Sequence, residues 1–165
     1  MTERQKFDLL KRIDKVEVRR YHPCVMADVT VDASYSSAGS IGFRPLVTYI
    51  SQNQIAMTAP VLQEQLHTSS WVVSFVMPDG MRLEDLPSPK NQSVSLRKIE
   101  AHDAAALSFS GVTSEEKIHE KELELRSAIA KANLIPIGPM RIARFDPPWK
   151  PGFLRHNEVI IPIKA

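Results

Sequence analysis

Alternation of apolar and polar residues with a period of two recurs along the chain, and it constrains the protein to a strand-rich fold. Val25, Ala27, Val29 and Val31 fall on one phase, with polar or small residues on the other phase. This spacing predicts a half-buried strand, because successive side chains of a strand point to opposite faces. The predicted strands are Val16–Tyr21, Val25–Asp32, Ala59–Glu64, Trp71–Met77, Val94–Ile99, Ala104–Ser110, Met140–Phe145 and Asn157–Ile163.

Two segments between these strands have helical spacing instead. The first is Ser34–Gln52, where Pro45 predicts a kink or a late start because proline lacks the N–H that a helix interior needs. The second begins at a capping-box sequence, with Thr113 as the expected cap and Glu116 reaching back to it. Its apolar stripe continues to about Asn133.

The order strand-strand-helix-strand-strand therefore occurs twice, on either side of a linker at residues 79–91 that begins and ends in clusters of turn residues. We predict an α+β fold: a curved, barrel-like antiparallel sheet of about eight strands with two helices and pseudo-twofold symmetry. One domain spans residues 15–165, with halves at 15–78 and 92–164. Residues 1–14 are expected to be an N-terminal extension.

Composition excludes several functional classes. The chain has 165 residues, a formal net charge of +2 and a single cysteine, Cys24. The low net charge argues against nucleic-acid binding, and one cysteine excludes a disulfide scaffold. The sequence has no run of about 18 apolar residues and does not begin like a signal peptide. We therefore expect a soluble, cytoplasmic protein with no nucleic-acid or membrane partner, and the sequence leaves protein partners open.

Standard catalytic motifs are absent from the sequence. His22 and Cys24 are the nearest approach to a base and a nucleophile, but Cys24 is more readily explained as a small strand residue. No two histidines have the spacing of a helical metal site. We expect no catalytic residues.

Glu158 is the most informative carboxylate, because it lies in a predicted strand next to the apolar run Val159–Ile163, and burying a carboxylate is costly unless it is paired. It could brace the loop at 146–155, or it could contact a ligand or act as an acid or base. That loop and the segment Met57–Pro60 are fixed by prolines and carry large side chains. They could close the core, or Trp149 could form a wall for a flat apolar ligand, with Lys150 and Arg155 near its anionic groups.

Several segments together resemble the SOUL/heme-binding protein family. They are Val16–Tyr21, Ile55–Val61 with its Met-Thr-Ala-Pro-Val block, Val73–Pro78, Phe145–Pro151 with its Asp-Pro-Pro block, and Arg155–Val159. The resemblance extends over nearly the whole chain. It implies a curved sheet with two helices, a fold shared with gyrase-inhibitor-like effector-binding domains. It also implies non-covalent binding of heme or a related tetrapyrrole, without a catalysed reaction.

The resemblance also implies site residues. Some members bind iron through a histidine of the first strand; that position is Arg20 here, and His22 lies two residues later. Other members hold heme in an apolar groove along the first helix. The matching apolar residues are Phe43, Leu46 and Val47, whereas two basic groove positions are Ser40 and Thr48 in this chain. Lys150 matches a late lysine near the heme carboxylates, and Met57, Arg155 and Glu158 complete the predicted cofactor-binding residues.

Two other functions stay open at this level. Related effector-binding domains hold hydrophobic or cationic molecules with aromatic walls and a buried glutamate, a role open to Trp71, Trp149 and Glu158. Such a ligand needs Glu158 ionised and facing a cleft, whereas heme needs cations at the rim. A hydrolase that uses Glu158 to activate water is the third alternative, although no second catalytic partner stands at a readable spacing.

Overall fold

The computed structural model describes residues 2–147 and 150–164. The strands are β1 (Glu3–Arg4), β2 (Phe7–Ile13), β3 (Val16–Tyr21), β4 (Cys24–Asp32), β5 (Thr58–Ala59), β6 (Val61–His67), β7 (Ser70–Val76), β8 (Val94–Ile99), β9 (His102–Ser110), β10 (Ile135–Pro136), β11 (Arg141–Arg144) and β12 (His156–Lys164). The helices are α1 (Tyr35–Gln52) and α2 (Glu115–Lys131), with short 3-10 turns at Leu83–Asp85 and Gly152–Leu154. The predicted α+β class, with antiparallel strands and two helices, is confirmed.

The described chain forms two compact units. The first contains residues 2–6 and 23–100, and the second contains residues 7–22 and 101–164. In the first unit the strand order is β6-β7-β4-β8, all antiparallel, and α1 packs on β7 and β4. In the second unit the order is β2-β3-β9-β12-β11, with β10 paired to the end of β12 and α2 packed on β9 and β12.

Strand β4 is buried on both faces along much of its length, which differs from the half-buried strand that we predicted. Met26 and Asp28 are buried as well as the valines. Asp28 is tolerated there because Ser74 Oγ lies 2.5 Å from Oδ1 and Arg97 Nε donates to Oδ2 at 2.7 Å. Burying an unpaired carboxylate is costly, and these contacts offset that cost for Asp28.

Helix α1 begins at Tyr35 and continues through Pro45, so the late start that we considered does not occur. Its buried face consists of residues three or four positions apart: Tyr35, Ala38, Gly42, Leu46, Tyr49 and Ile50. This is the spacing that a helix needs to lay one side on a sheet.

Helix α2 is capped one residue later than predicted. Ser114, not Thr113, is the N-cap, and its side chain accepts a hydrogen bond from the Lys117 amide at 3.1 Å. Thr113 Oγ1 instead accepts from Arg144 Nε at 3.1 Å. Ser and Thr are both good caps, so the sequence could not decide between adjacent positions.

Each unit includes one strand from the other half of the sequence. Strand β3 precedes β4 in the chain but pairs with β9, whereas β8 follows the linker and pairs with β4. The linker itself is anchored on the first unit, since Leu86 is buried and the Tyr49 hydroxyl donates to the Pro87 carbonyl at 2.7 Å.

The predicted N-terminal extension contains two strands. Strand β1 pairs in parallel with β5, and β2 pairs antiparallel with β3. Charged residues occur on both phases of β2, at Asp8, Lys11 and Arg12, so its alternation is hidden in the sequence.

Gly42 allows α1 to approach β7 closely. A methyl group on Gly42 would lie 2.7 Å from both Cβ and Cγ2 of Val73. We expect Gly42→Ala to destabilise the protein by about 1 kcal/mol in urea unfolding, because overpacking of about 1–3 kcal/mol exceeds the gain in helix propensity. Ser40→Ala, on the exposed side of α1, should not destabilise it. The loss caused by Gly42→Ala should be smaller in a Val73→Ala background, which removes Cγ2 but keeps Cβ; the same loss in both backgrounds would contradict the contact with Cγ2.

Candidate functional site

The residues that we predicted to bind a cofactor or metal are divided between the two units. Phe43, Leu46, Val47 and Met57 belong to the first unit. The second unit contains His22, Lys150, Arg155 and Glu158. Trp149 lies outside the described residues.

The exposed flank of α1 carries two of the predicted apolar residues. Phe43 is 39% exposed and Val47 is half-buried. They are four residues apart, so they are neighbours on one side of the helix. Leu46 is fully buried and points into the core with Gly42. The structure therefore brings Phe43 and Val47 together on the surface and places Leu46 beneath them in the packing against the sheet.

Phe43 is held firmly although its edge is open to solvent. Its ring makes an edge-to-face contact with buried Phe75 on β7, with the centroids 5.3 Å apart and the planes at 63°. Such a contact favours one orientation of the ring. A ligand that packs on Phe43 would meet a surface that is already ordered.

Arg44 is a residue of this flank that sequence reasoning missed. It is exposed and makes no ion pair within the described residues. It lies four residues after Ser40 and three before Val47, which makes it a surface neighbour of both. The spacing could have revealed it, because it adds a cation one turn away from the family's basic position that is Ser40 here.

Met57 precedes β5 at the edge of the first unit and is half-buried. Thr58 fixes this segment, because it is buried and its hydroxyl donates to the Val76 carbonyl. Trp71, which we considered as an aromatic wall, is buried and packs edge-to-face on Tyr35 at 5.4 Å.

Glu158 lies in the second unit and is bonded on both carboxylate oxygens. Arg19 donates to Oε1 through Nη1 at 2.7 Å and to Oε2 through Nη2 at 2.8 Å. Ser108 Oγ donates to Oε2 at 2.9 Å, and His156 Nε2 lies 3.4 Å from the same oxygen. Glu158 is 3% exposed. This two-pronged pairing is the strong form of an arginine–carboxylate contact.

These contacts set the charge state of Glu158. Burial by itself would raise the pKa of the carboxyl, but hydrogen bonds from Arg19, His156 and Ser108 and the charge of Arg19 outweigh it. They lower the pKa from an ordinary 4.5 to about 2. Burial also opposes the charge of Arg19, but its hydrogen bond to Glu158 raises the arginine's pKa above its ordinary range. The pair is ionised at neutral pH.

Arg19 is the centre of a larger cluster that the sequence did not reveal. Its Nε and Nη2 donate to Glu17 Oε1 at 2.9 and 2.7 Å, and its Nη1 donates to the Tyr21 hydroxyl at 2.8 Å. Its guanidinium lies 4.2 Å from the centroid of the Phe7 ring. Arg19 and Arg20 are adjacent in the sequence, and the register alone decides that Arg19 is the buried one.

Asp146 holds the loop that Glu158 was considered to brace. Asp146 Oδ2 accepts from the His156 amide at 2.5 Å, and Oδ1 accepts from Lys150 Nζ at 3.0 Å. Arg155 Nε donates to the Lys150 carbonyl at 2.8 Å. Lys150 and Arg155 therefore have structural contacts within the loop, and the charge of Lys150 is partly neutralised by Asp146.

His22 is a partly exposed side chain at the end of β3. Its Nε2 lies 3.2 Å from Asp8 Oδ1. Arg20, which takes the place of the family's histidine, pairs with Asp103 at 2.9 Å. Across the described ranges, no three His, Cys, Asp or Glu side chains are grouped so that they could hold a metal ion. Cys24 contacts Gln5, whose Nε2 is 3.9 Å from Sγ.

Comparison with known proteins assigns the family. The SOUL heme-binding protein family matches residues 2–162, so the chain belongs to that family. No curated protein matches the sequence well enough to count as a relative. No helix of the described chain is long and apolar enough to cross a membrane.

Solved structures share the fold at low identity. The chain is similar to the C-terminal domain of EcmrR, with a TM-score of 0.74 and 9% identity over 91% of this chain and 97% of that one. It is also similar to a hydrolase from Listeria innocua, with a TM-score of 0.62 and 14% identity over 94% of each chain. SAV2435 bound to tetraphenylphosphonium gives a TM-score of 0.53 and 8% identity, over 91% of this chain and 94% of that one. At these identities the likeness establishes the fold.

The ionised Glu158 should stabilise the folded protein in a pH-dependent way. Because its folded pKa is depressed, this stabilisation is present above about pH 4.5 and is lost as the pH falls towards about 2. Glu158→Gln removes the buried counter-charge of Arg19 and leaves the more exposed Glu17 as its carboxylate partner, so we expect a loss of about 3 kcal/mol at pH 7 in urea unfolding.

The difference between wild type and Glu158→Gln should shrink as the pH is lowered from 5 towards 2. Glu120→Gln, which replaces an exposed carboxylate of α2, serves as the matched control and should change stability by less than about 0.5 kcal/mol. A gap between wild type and Glu158→Gln that does not change with pH would contradict the assigned role of the ionised pair.

Proposed function

We propose that this protein binds heme or a related tetrapyrrole non-covalently, for carriage, buffering or sensing, and that the exposed flank of α1 contacts the macrocycle. Membership of the SOUL heme-binding family supports the class of ligand. The observation that carries the location is the partly exposed ring of Phe43, fixed by Phe75 and flanked by Val47 and Arg44.

The chemistry of a porphyrin fits these side chains. A porphyrin is a flat apolar plate with two carboxylates at one edge, so it needs an apolar wall and one or two cations. Phe43 and Val47 supply apolar surface, and burial of such surface is worth about 25 cal/mol per Å². Arg44 supplies the cation, and a guanidinium can bind a carboxylate through two parallel hydrogen bonds.

The predicted cations of the second unit fit the carboxylates less well. Lys150 already bonds Asp146 at 3.0 Å, and Arg155 holds the Lys150 carbonyl. Binding a heme carboxylate would require Lys150 to exchange one acid for another. We therefore assign the carboxylate contact to Arg44.

His22, in the second unit, is the candidate iron ligand of an alternative mode in which heme binds at β3 instead of at α1. Its contact with Asp8 is the kind of carboxylate–histidine pair that orients imidazole ligands in metal sites. Iron coordination would add affinity and a spectral signature when heme is bound. The contacts of α1 do not depend on iron, so our proposal predicts binding of metal-free porphyrin as well.

The two alternatives centred on Glu158 are less favoured by its surroundings. A cationic ligand would have to displace Arg19, which already neutralises the carboxylate on both oxygens. A hydrolase base works best with a pKa near the operating pH, whereas that of Glu158 is about 2. SAV2435 is bound to tetraphenylphosphonium, a bulky lipophilic cation, which is the ligand class of the first alternative.

Titration with ferric heme and with metal-free protoporphyrin tests the proposal, followed by the Soret band and by quenching of tryptophan fluorescence. We expect saturable one-to-one binding of both compounds. Phe43→Ser should weaken both by about tenfold through loss of apolar contact. Arg44→Gln should weaken both by a smaller factor that diminishes at high salt, because the lost contact is electrostatic.

Matched variants separate the α1 flank from other surfaces. Leu83→Ser removes a similarly exposed apolar residue outside α1, and Lys98→Gln removes an exposed cation elsewhere in the first unit. Neither should change binding. His22→Ala should leave porphyrin binding unchanged and alter the heme spectrum only if His22 ligates iron. Absence of saturable binding of both compounds, or equal losses in Phe43→Ser and Leu83→Ser, would refute the proposal.

A further inference from the structure

Strand β2 lies at the end of the strand order of the second unit, with β3 as its one sheet neighbour among the described residues. Its outer edge therefore offers backbone donors and acceptors that no other described strand uses. Phe7, Leu9 and Leu10 are 37%, 45% and 42% exposed, and the strand contains neither proline nor glycine. An open edge of this kind is a template for pairing with another strand.

A β-bulge at Leu10 decides which side chains share a face of β2. The register with β3 shifts between Leu9 and Lys11, so Leu10 is the extra residue. On one face, Phe7, Leu9 and Arg12 lie opposite Tyr21, Arg19 and Glu17. On the other face, Asp8, Lys11 and Ile13 lie opposite Arg20, Val18 and Val16. The bulge thus places Asp8 and Lys11 on the same face although they are three residues apart.

We infer that β2 pairs antiparallel with β2 of a second copy of this chain, about a twofold axis between Leu9 and Leu10. In this register Asp8 lies opposite Lys11 of the second copy, Phe7 opposite Arg12, and Leu9 opposite Leu10. In a regular strand, residues of odd and even number point to opposite faces. Without the bulge, this register would therefore pair residues whose side chains lie on opposite faces of the sheet. The bulge removes that mismatch: Asp8 and Lys11 share a face, as do Phe7 and Arg12.

Charge complementarity favours a second copy over an unrelated partner. Asp8, the one acidic residue of β2, lies opposite Lys11 of the second copy. The twofold axis repeats this contact, as in a self-complementary interface. Lys11 makes no ion pair within the described chain, and the Asp8 side chain is 67% exposed where it meets His22. The second pair sets Arg12 against Phe7, and cations are attracted to aromatic faces. The Arg12 side chain is 66% exposed, so its contact with Glu17 leaves it accessible.

The association should be weak. One pair of seven-residue strands lies at the small end of specific interfaces, so we expect a dissociation constant on the order of 100 µM. The inference does not rest on tetrapyrrole binding at α1, because β2 contributes neither Phe43 nor Arg44, although its Asp8 also contacts His22.

Sedimentation velocity of the full chain from about 10 µM to 1 mM tests the inference, a range chosen to bracket a weak interface. We expect the wild type to pass from monomer to dimer. Asp8→Lys and Lys11→Asp each place like charges opposite one another at two symmetric positions, so each should weaken the dimer by about tenfold or more. The double variant Asp8→Lys/Lys11→Asp restores both opposite-charge pairs and should dimerise again. Lys15→Asp, just outside β2, is the matched control and should dimerise like the wild type.

Each outcome decides the question, provided circular dichroism shows that the variants are folded. A wild type that stays monomeric at 1 mM overturns the inference and leaves the edge for a different partner. Dimers that persist in both single variants would mean that another surface associates. Loss of dimer in the single variants without recovery in the double variant would overturn the proposed register.

Discussion

The ion pair between Arg19 and Glu158 ties the second unit together across three strands. Arg19 lies on β3, Glu158 on β12, and Ser108 on the β9 strand between them donates to the same carboxylate. The pair joins residues 139 positions apart, so it links the beginning of the fold to its end. Removing either partner would leave a buried charge, which costs more than the pair itself contributes.

Small residues on β9 make room for this pair. Arg19 is opposite Ala104 and Glu158 is opposite Ser108, four residues apart and therefore about 13 Å along the strand. Ala106 lies between them on the same face and is buried. Because alanine ends at Cβ, the long side chains of Arg19 and Glu158 can meet above it. The small residues of β9 thus serve the charge cluster as well as the packing of the sheet.

The candidate ligand surface of the first unit depends on the packing of α1. Gly42 lets the helix approach Val73 closely, and the same approach brings Phe43 against Phe75. Phe43 is therefore fixed in place while part of its ring stays exposed. Once the buried face is set, helical spacing places Val47 beside Phe43 and Arg44 beside Val47 on the surface of α1. The close packing of α1 on β7 therefore stabilises the helix contact and also orders the proposed site.

Much of the fold could be predicted from local patterns. Period-two alternation located the strands from β3 onwards except the two-residue β10, and helical spacing located α1 and α2, because burial on one face imposes these periods on the sequence. Strand β2 was not predicted, because charged residues occupy both of its phases and its apolar residues stay exposed. The cap of α2 was misplaced by one residue because Thr113 and Ser114 are chemically similar.

The site was predicted less completely, for a physical reason. The sequence by itself determined the family, the apolar side of α1 at Phe43 and Val47, and the unusual position of Glu158 beside a buried strand. The tertiary structure alone decided that Leu46 faces the core, that Arg19 rather than Arg20 is buried, and that Asp146 holds the loop around Lys150. Those outcomes depend on strand register and on which distant side chains meet. Contacts between residues such as Arg19 and Glu158 leave no local period in the sequence, so only the folded chain reveals them.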